Sequence, residues 1–352
     1  MARALIVAFR LGGTDGVSIE AAKWAWALEQ LGFEVTTMAG AGAADVVLPE
    51  LAIGADGPDR VVLPDADVVV VENLLSLAPL NPAAARAVAA ALAGRHAVIR
   101  HHDLPWQQPR YAAWSEPVAD DPCWRHVTIN EVSRVALAER GIAATTIYNA
   151  FDADPPHGDR RATRDKLGLG GGDRLLLHPS RALPRKNVGA AIALAEALDA
   201  TYWLLGDVED PPELTAKPRA MARGSTVSSP DGYRDEFDAL VAAARTRVVR
   251  DQPADIADAY AVCLPSTWEG FGNATVESAT YRKPLAIGDY PVARELAAFG
   301  FRWFAADDAA PLDEWLSAPD EQPPLLDHNA AIARRHFDLA DLPARLDKVL
   351  RG

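Results

Sequence analysis

Apolar positions fall in short continuous runs separated by longer amphipathic stretches. The first run, "ALIVAF" at 4–9, has the character of a strand buried on both faces. A polar turn, "GGTDG" at 12–16, follows it. Residues 17–31, "VSIEAAKWAWALEQL", carry apolar residues at helical spacing and stop at Gly32, and "FEVTTM" at 33–38 alternates like a strand. The first forty residues thus predict one β-loop-α-β unit. The pattern recurs with a strand at 68–71, an Ala-rich helix at 83–92, a strand at 97–99, a helix at 131–140 closing on Gly141, and a strand at 145–148.

The pattern then breaks. "DADPPHGDRR" at 152–161 has no apolar periodicity and reads as a linker. Beyond it the alternation resumes. Strands are expected at 175–178, 202–205, 247–249, 262–265 and 285–287, and helices at 187–198, 234–245, from about 274, and near 312–317, 327–337 and 341–350. "RGSTVSSPDGY" at 223–233 reads as an irregular loop, and 207–246 is the least legible stretch. Strand–helix alternation on both sides of a linker predicts an α/β protein with two doubly wound, Rossmann-like parallel sheets. The expected domains are 1–152 and 153–335. A C-terminal helical segment, 336–352, has packing against the first domain as one option. Two such sheets facing each other would form a cleft at the carboxyl ends of their strands, where ligands of open α/β sheets bind.

Composition narrows the function. The 352 residues carry a net charge of −14, which argues against general nucleic-acid binding. Only two cysteines occur, Cys123 and Cys263, with no C-x-x-C pair, so a disulfide scaffold and a zinc cluster are not expected. Cys263 falls in a predicted strand and reads as core rather than nucleophile. No apolar run reaches 18 residues and the N-terminus lacks a signal-peptide pattern, so the expectation is a cytoplasmic chain with no transmembrane segment. Nothing in the sequence bears on the oligomeric state.

The chemistry should then lie just after strands. "STWEGFGNATVE" at 266–277 follows the strand at 262–265. Its glycines let backbone approach a ligand, and a helix starting near Ala274 would aim N–H groups at an anion. Glu269 and Glu277 flank that turn, which suits a nucleotide diphosphate with a hydroxyl-rich group at each end. A plain strand–helix turn with two solvated carboxylates is the competing reading. "HPSRALPRKN" at 178–187 places Arg181, Arg185 and Lys186 on one loop, with Asn187 positioned to cap the next helix. The cations suit phosphate; the bland alternative is an exposed basic loop. "GGTDG" is not a dinucleotide fingerprint, because Thr14 and Val17 stand where glycines are needed. It is equally a phosphate-approaching loop or a plain tight turn. "RHHDLPW" at 100–106 offers His101, His102, Asp103 and Trp106 for hydroxyl recognition or proton handling, against a structural role at the sheet edge. Trp106, Trp114 and Trp268 are candidates to stack on a sugar. The two "DAD" triplets, 65–67 and 152–154, are set aside as metal ligands because one opens a strand and the other lies in the linker.

Taken in order, these motifs resemble the retaining GT-B glycosyltransferases of family 4. The match comprises an N-terminal glycine loop at Gly12–Gly13, His102–Asp103 after a strand, Arg181 to Lys186–Asn187, and Pro265–Ser266 through Glu269 and Glu277. "IYNAFD" at 147–152 matches the family's strand-to-linker segment. The resemblance implies that Arg181 and Lys186 hold the diphosphate of a nucleotide sugar. The backbone of Phe271, Gly272, Asn273 and Ala274 would complete that cradle. By the same resemblance Glu277 binds the ribose diol, Glu269 holds hydroxyls of the donor sugar, and Gly13 closes over the phosphates. His102 would sit by the anomeric centre, with His101 as its rival. No cofactor or metal is required; the nucleotide sugar is the co-substrate. The chain departs from the family at "HPS" before Arg181, where a glycine is usual, and at Thr280–Tyr281.

The expected activity is transfer of a hexose from a donor of the GDP-mannose or UDP-glucose class to a hydroxyl of a small soluble acceptor. Two alternatives stand beside it: a nucleotide-sugar 2-epimerase on the same architecture, and a non-catalytic nucleotide-sugar binder. Retention of the Arg, the Lys and both Glu argues against the binder, and the broken glycine fingerprint argues against a dehydrogenase.

Overall fold

A fully apolar strand leaves no face for water, so it is stable only inside a sheet covered on both sides. The computed structural model describes residues 1–108, 111, 113–206, 230–250 and 259–351. It divides into two compact units. Of the described residues, those within 1–150 and 339–351 form the first and those within 151–338 the second.

The first unit runs β1 (Ala2–Leu11), α1 (Gly16–Gln30), β2 (Phe33–Gly42), β3 (Val46–Val47), β4 (Val68–Glu72), α2 (Pro82–Leu92), β5 (Ala97–His101), β6 (Trp124–Thr128), α3 (Glu131–Ala138) and β7 (Ala144–Thr146). Its strands are parallel in the order β3-β2-β1-β4-β5-β6-β7. The helices start where short polar side chains cap free N–H groups. Asp15 accepts from Ser18 N, Asn81 from Ala84 N and Asn130 from Ser133 N. Alternation along the strands splits the core: Leu5, Val7, Val69, Val71 and Ile99 pack on the α2 side, while Ile6, Val68, Val70 and Val98 face Trp24 and Leu28 of α1.

The second unit runs β8 (Arg174–His178), β9 (Ala200–Leu204), β10 (Val248–Val249), β11 (Ala261–Leu264), β12 (Leu285–Ile287) and β13 (Phe304–Ala305), with α4 (Arg160–Leu167), α5 (Val188–Ala197), α6 (Pro230–Ala243), α7 (Ala274–Thr280), α8 (Pro291–Ala297), α9 (Ala310–Leu316) and α10 (Gln322–Phe337). Its strands are parallel in the order β10-β9-β8-β11-β12-β13. The last helix, α11 (Leu342–Arg351), belongs to the first unit, where Leu342 and Leu346 join the core around Trp24.

Both sheets are doubly wound, as the alternation predicts. Their order reverses between β1 and β4 in one and between β8 and β11 in the other. Such switch points are where ligands gather in this architecture.

Several elements differ from the sequence reading. β6 was not expected, because Arg125 and His126 interrupt its apolar run; His126 is buried all the same. α4 begins inside the stretch read as linker, where Asp159 caps it by accepting from Ala162 N. α8 and β13, seven and two residues long, are too short to carry a period. Pro230–Tyr233, read as loop, forms the first turn of α6, while 223–229 lies outside the described residues. Among the described residues no helix is long and apolar enough to cross a membrane.

Candidate active site

In the second unit, the loops after β8 and β11 lie side by side. Thr267 N donates to Arg185 O at 2.9 Å, which ties one loop to the other. This join brings two cations, one exposed and one half-buried, onto a buried carboxylate. Lys186 Nζ lies 2.5 Å from Glu269 Oε1, and Arg185 Nη1 lies 2.8 Å from Glu269 Oε2. Ser266 Oγ donates to Glu269 Oε1 at 2.5 Å, and Arg185 Nη1 also donates to Trp268 O. Glu269 is only 5% exposed. Burial alone would raise its pKa; Lys186 and Arg185 outweigh this and hold it at about 2. Glu269 is therefore ionised throughout the physiological range. Burial pushes the Lys186 ammonium below its ordinary value, against the pull of Glu269.

His178 ends β8 beneath this group. Its Nδ1 lies 2.8 Å from the Tyr202 hydroxyl, and burial, with Lys186 nearby, lowers its pKa to about 3. The "HPS" segment that follows is a tight turn, with Ser180 N donating to His178 O and Gly206 N to Ser180 O. Asn187 does not cap α5 as expected. It sits in the left-handed region at φ 53°, which Asn tolerates, and its side chain makes no capping bond.

The glycine turn rests on buried side chains. Gly272 has φ +80°, and a Cβ there would lie 2.7 Å from the Tyr290 hydroxyl, so only glycine fits both backbone and floor. Phe271 points down, stacked on Phe151 with ring centroids 6.0 Å apart and edge-on to Phe337 at 6.2 Å. Asn273 leads into α7 in helical conformation without a side-chain cap, and Ala274 is buried. Glu277 is half-buried one turn further on.

In the first unit, Gly12 follows β1 with φ +76°, and a Cβ there would lie 2.6 Å from Ala43 Cβ. Gly13 is exposed beside Asp15, the α1 cap. The two histidines after β5 are not equivalent. His101 is fully buried, with Nδ1 2.6 Å from Ser76 Oγ and Nε2 2.9 Å from His126 Nδ1. Both its nitrogens are committed. His102 keeps 5% exposure, and its Nε2 lies 2.6 Å from Glu72 Oε2. Asn73 holds the backbone here, its Oδ1 accepting from His102 N and Asp103 N. Asp103 accepts from Gln108 Nε2 at 3.0 Å. The Trp106 ring has the Arg140 guanidinium 3.7 Å from its centroid, which occupies one face.

The chain matches no family model. It is similar to mannosylglucosylglycerate synthase of Petrotoga mobilis, 24% identical with 84% of each chain covered. It is also similar to the Thermotoga maritima enzyme of the same name, 23% identical over 96% of this chain and 97% of the other. Among solved structures, Anabaena HepE in complex with UDP and glucose superposes with a TM-score of 0.74 at 17% identity, covering 99% of both chains. The chain has the GT-B fold of these glycosyltransferases.

Within this fold the site residues named from sequence fall into two groups. Arg181, Lys186, Glu269, Phe271, Gly272, Asn273, Ala274 and Glu277 lie on the second unit, and Gly12, Gly13, His101, His102, Asp103 and Trp106 on the first. Other residues were missed. Arg185 appeared only as part of a basic loop, yet it holds Glu269. Glu72, Asn73 and Arg100 were not singled out. The signal for Glu72 is a carboxylate closing the apolar run "VVVV", and for Arg100 a cation inside a buried strand. The "DAD" aspartates have partners of their own: Asp65 pairs with Arg3 at 2.5 Å, and Asp154 with Arg334. Cys263 is fully buried in β11, and burial pushes its thiol up, as a core residue requires.

Proposed function

We propose that this chain is a retaining family 4 glycosyltransferase. It moves a hexose from a nucleotide-diphosphate sugar, of the GDP-mannose or UDP-glucose class, to a hydroxyl of a small soluble acceptor. The observation that carries this reading is the buried Glu269 carboxylate held between Lys186 and the exposed Arg185 at the switch point of the second sheet. A buried carboxylate is costly unless cations or a ligand hold it, and switch points of open α/β sheets are where ligands gather, which supports this reading. HepE, of the same fold, carries UDP and glucose. The two curated relatives are named for a product that joins hexoses to glycerate, which supports a small acceptor.

In this reading Arg181 and Lys186 hold the diphosphate, with the backbone of 271–274, while Glu277 takes the ribose diol. Glu269 takes donor-sugar hydroxyls, and His102 faces the sugar near its anomeric carbon. Gly12 and Gly13 are further donor-binding candidates, carried by the first unit. As the anomeric C–O bond breaks, positive charge develops on carbon and negative charge on the departing diphosphate. Fixed cations on that diphosphate favour the transition state over the ground state. The acceptor hydroxyl attacks from the face the diphosphate leaves, and a diphosphate oxygen takes its proton. No separate base is needed.

The test is a thermal-shift screen of nucleotide sugars, followed by transfer assays with glycerate and hexosylglycerate acceptors. A stabilising donor whose hexose appears on the acceptor is the expected result. Release of an epimerised free sugar from donor alone would replace this reading with the epimerase one. Absence of any shift would remove it. Transfer is also expected to persist in excess chelator; loss on chelation, restored by magnesium or manganese, would return the set-aside carboxylates to consideration.

A further inference from the structure

Glu72 closes β4 as a fully buried carboxylate, and it lies within hydrogen-bond reach of only two side chains among the described residues. Arg100 Nη1 is 3.2 Å from its Oε1, and His102 Nε2 is 2.6 Å from its Oε2. Arg100 is itself fully buried. Its Nη2 donates to Glu20 Oε2 and to Asn149 Oδ1, both at 3.1 Å, and its guanidinium lies 4.4 Å from the centre of the Trp24 ring. Glu20 in turn takes Lys23 Nζ at 2.6 Å. Two carboxylates thus meet two cations, and this set is balanced with the imidazole neutral. Burial alone would raise the Glu72 carboxyl; Arg100 and His102 hold it below its ordinary value, so it is an acceptor only. His102 must then donate from Nε2. In the neutral ring that leaves Nδ1, which has no partner among the described residues, as an acceptor on a ring that keeps some exposure.

We propose that Glu72 is a positioning residue for His102: it fixes the Nε2–H tautomer, so that Nδ1 is presented as an acceptor to a substrate hydroxyl. This rests on the reading of His102 as the group facing the donor sugar. The order of the contacts matters. Arg100 is donor-only and claims an acceptor on Glu72. In Glu72→Gln the single amide oxygen therefore turns to Arg100, and the amide NH2 turns to His102. The ring must then accept at Nε2 and carry its proton on Nδ1. Shape and hydrogen-bond count are nearly preserved while the tautomer inverts, the logic by which an Asp-to-Asn change disables a histidine in hydrolytic triads. A purely structural Glu72 would tolerate the same change.

Nitrogen-15 NMR of the imidazoles in the whole protein, assigned with His102→Ala, reads the tautomer directly. The wild type is expected to carry its proton on Nε2, and Glu72→Gln on Nδ1. In transfer assays Glu72→Gln is expected to lower kcat by roughly tenfold or more, with donor KM within about threefold of wild type. The double variant with His102→Ala is expected to be no slower than His102→Ala alone, because the two act as one unit. Should Glu72→Gln fail to fold, Glu72→Asp keeps the charge beside Arg100 but falls short of His102, and is expected to show mixed tautomers and the same loss of kcat. A wild-type proton on Nδ1, wild-type kcat in the folded variant, or additive losses in the double variant would each overturn the proposal. If the wild type transfers no sugar from any donor, the functional reading fails instead, and the tautomer spectrum still decides the role of Glu72.

Discussion

Lys186→Ala is expected to slow sugar transfer by at least about tenfold while the fold stays intact, and Arg181→Ala to do the same. A hydrogen bond from a charged group contributes about 1.5–3 kcal/mol, and about 1.4 kcal/mol is a factor of ten in rate. The loss should appear in kcat as well as KM, because charge on the departing diphosphate grows as the anomeric bond breaks. The structure explains why the fold should survive. Without Lys186, Glu269 keeps Arg185 at 2.8 Å and Ser266 at 2.5 Å, so the buried carboxylate is not left unpaired. Steady-state kinetics beside circular dichroism and thermal melting make the comparison. Wild-type rates in both variants would remove the phosphate assignment.

The architecture was legible because its strands announce themselves. "ALIVAF", "VVVV", "LLL" and "VCLP" are apolar throughout, as strands covered on both faces must be, and polar residues or glycines follow within a few positions. β6 hid because Arg125 and His126 stand inside it; His126 is buried only because His101 takes up its Nδ1 and Asp120 its Nε2. α4 hid behind a Pro/Asp-rich stretch in which only its Asp159 cap marks the start. The candidate site was legible on the loops, where charge after a strand has no packing reason. It was not legible inside the strands. Glu72 and Arg100 look like interruptions of apolar runs until tertiary contact pairs them with each other, and with Glu20 some fifty residues before Glu72. The same limit applied to the histidines. Sequence left His101 and His102 as rivals, and the hydrogen bonds that commit both nitrogens of His101 could not be read from it.

The two glutamates flanking the Gly-Phe-Gly turn are expected to read opposite ends of the donor. In the proposed reading the diphosphate lies between them, so Glu277 should serve the nucleotide and Glu269 the transferred sugar. The structure sharpens the consequence for Glu269. It sits 2.5 Å from Lys186 Nζ, so the residue proposed to read the sugar and one proposed to hold the phosphate are directly coupled. Removing the carboxylate also takes a negative charge away from the diphosphate and frees Lys186 for it. Glu269→Gln, which keeps the side-chain volume and an oxygen for Ser266, is therefore expected to bind the free nucleoside diphosphate as tightly as wild type, or more tightly. Its kcat should fall by roughly tenfold or more, because the contact to the sugar strengthens as the anomeric bond breaks. Glu277→Ala should behave in the opposite way. Losing charged hydrogen bonds to the ribose is expected to weaken nucleoside-diphosphate affinity roughly ten- to a hundredfold, from about 1.5–3 kcal/mol. Calorimetry with the nucleoside diphosphate, beside turnover with the full donor, measures both halves. An equal loss of nucleoside-diphosphate affinity in the two variants would show that both carboxylates serve the nucleotide. The spacing of Glu269 and Glu277 around Gly270-Phe271-Gly272 would then need another explanation.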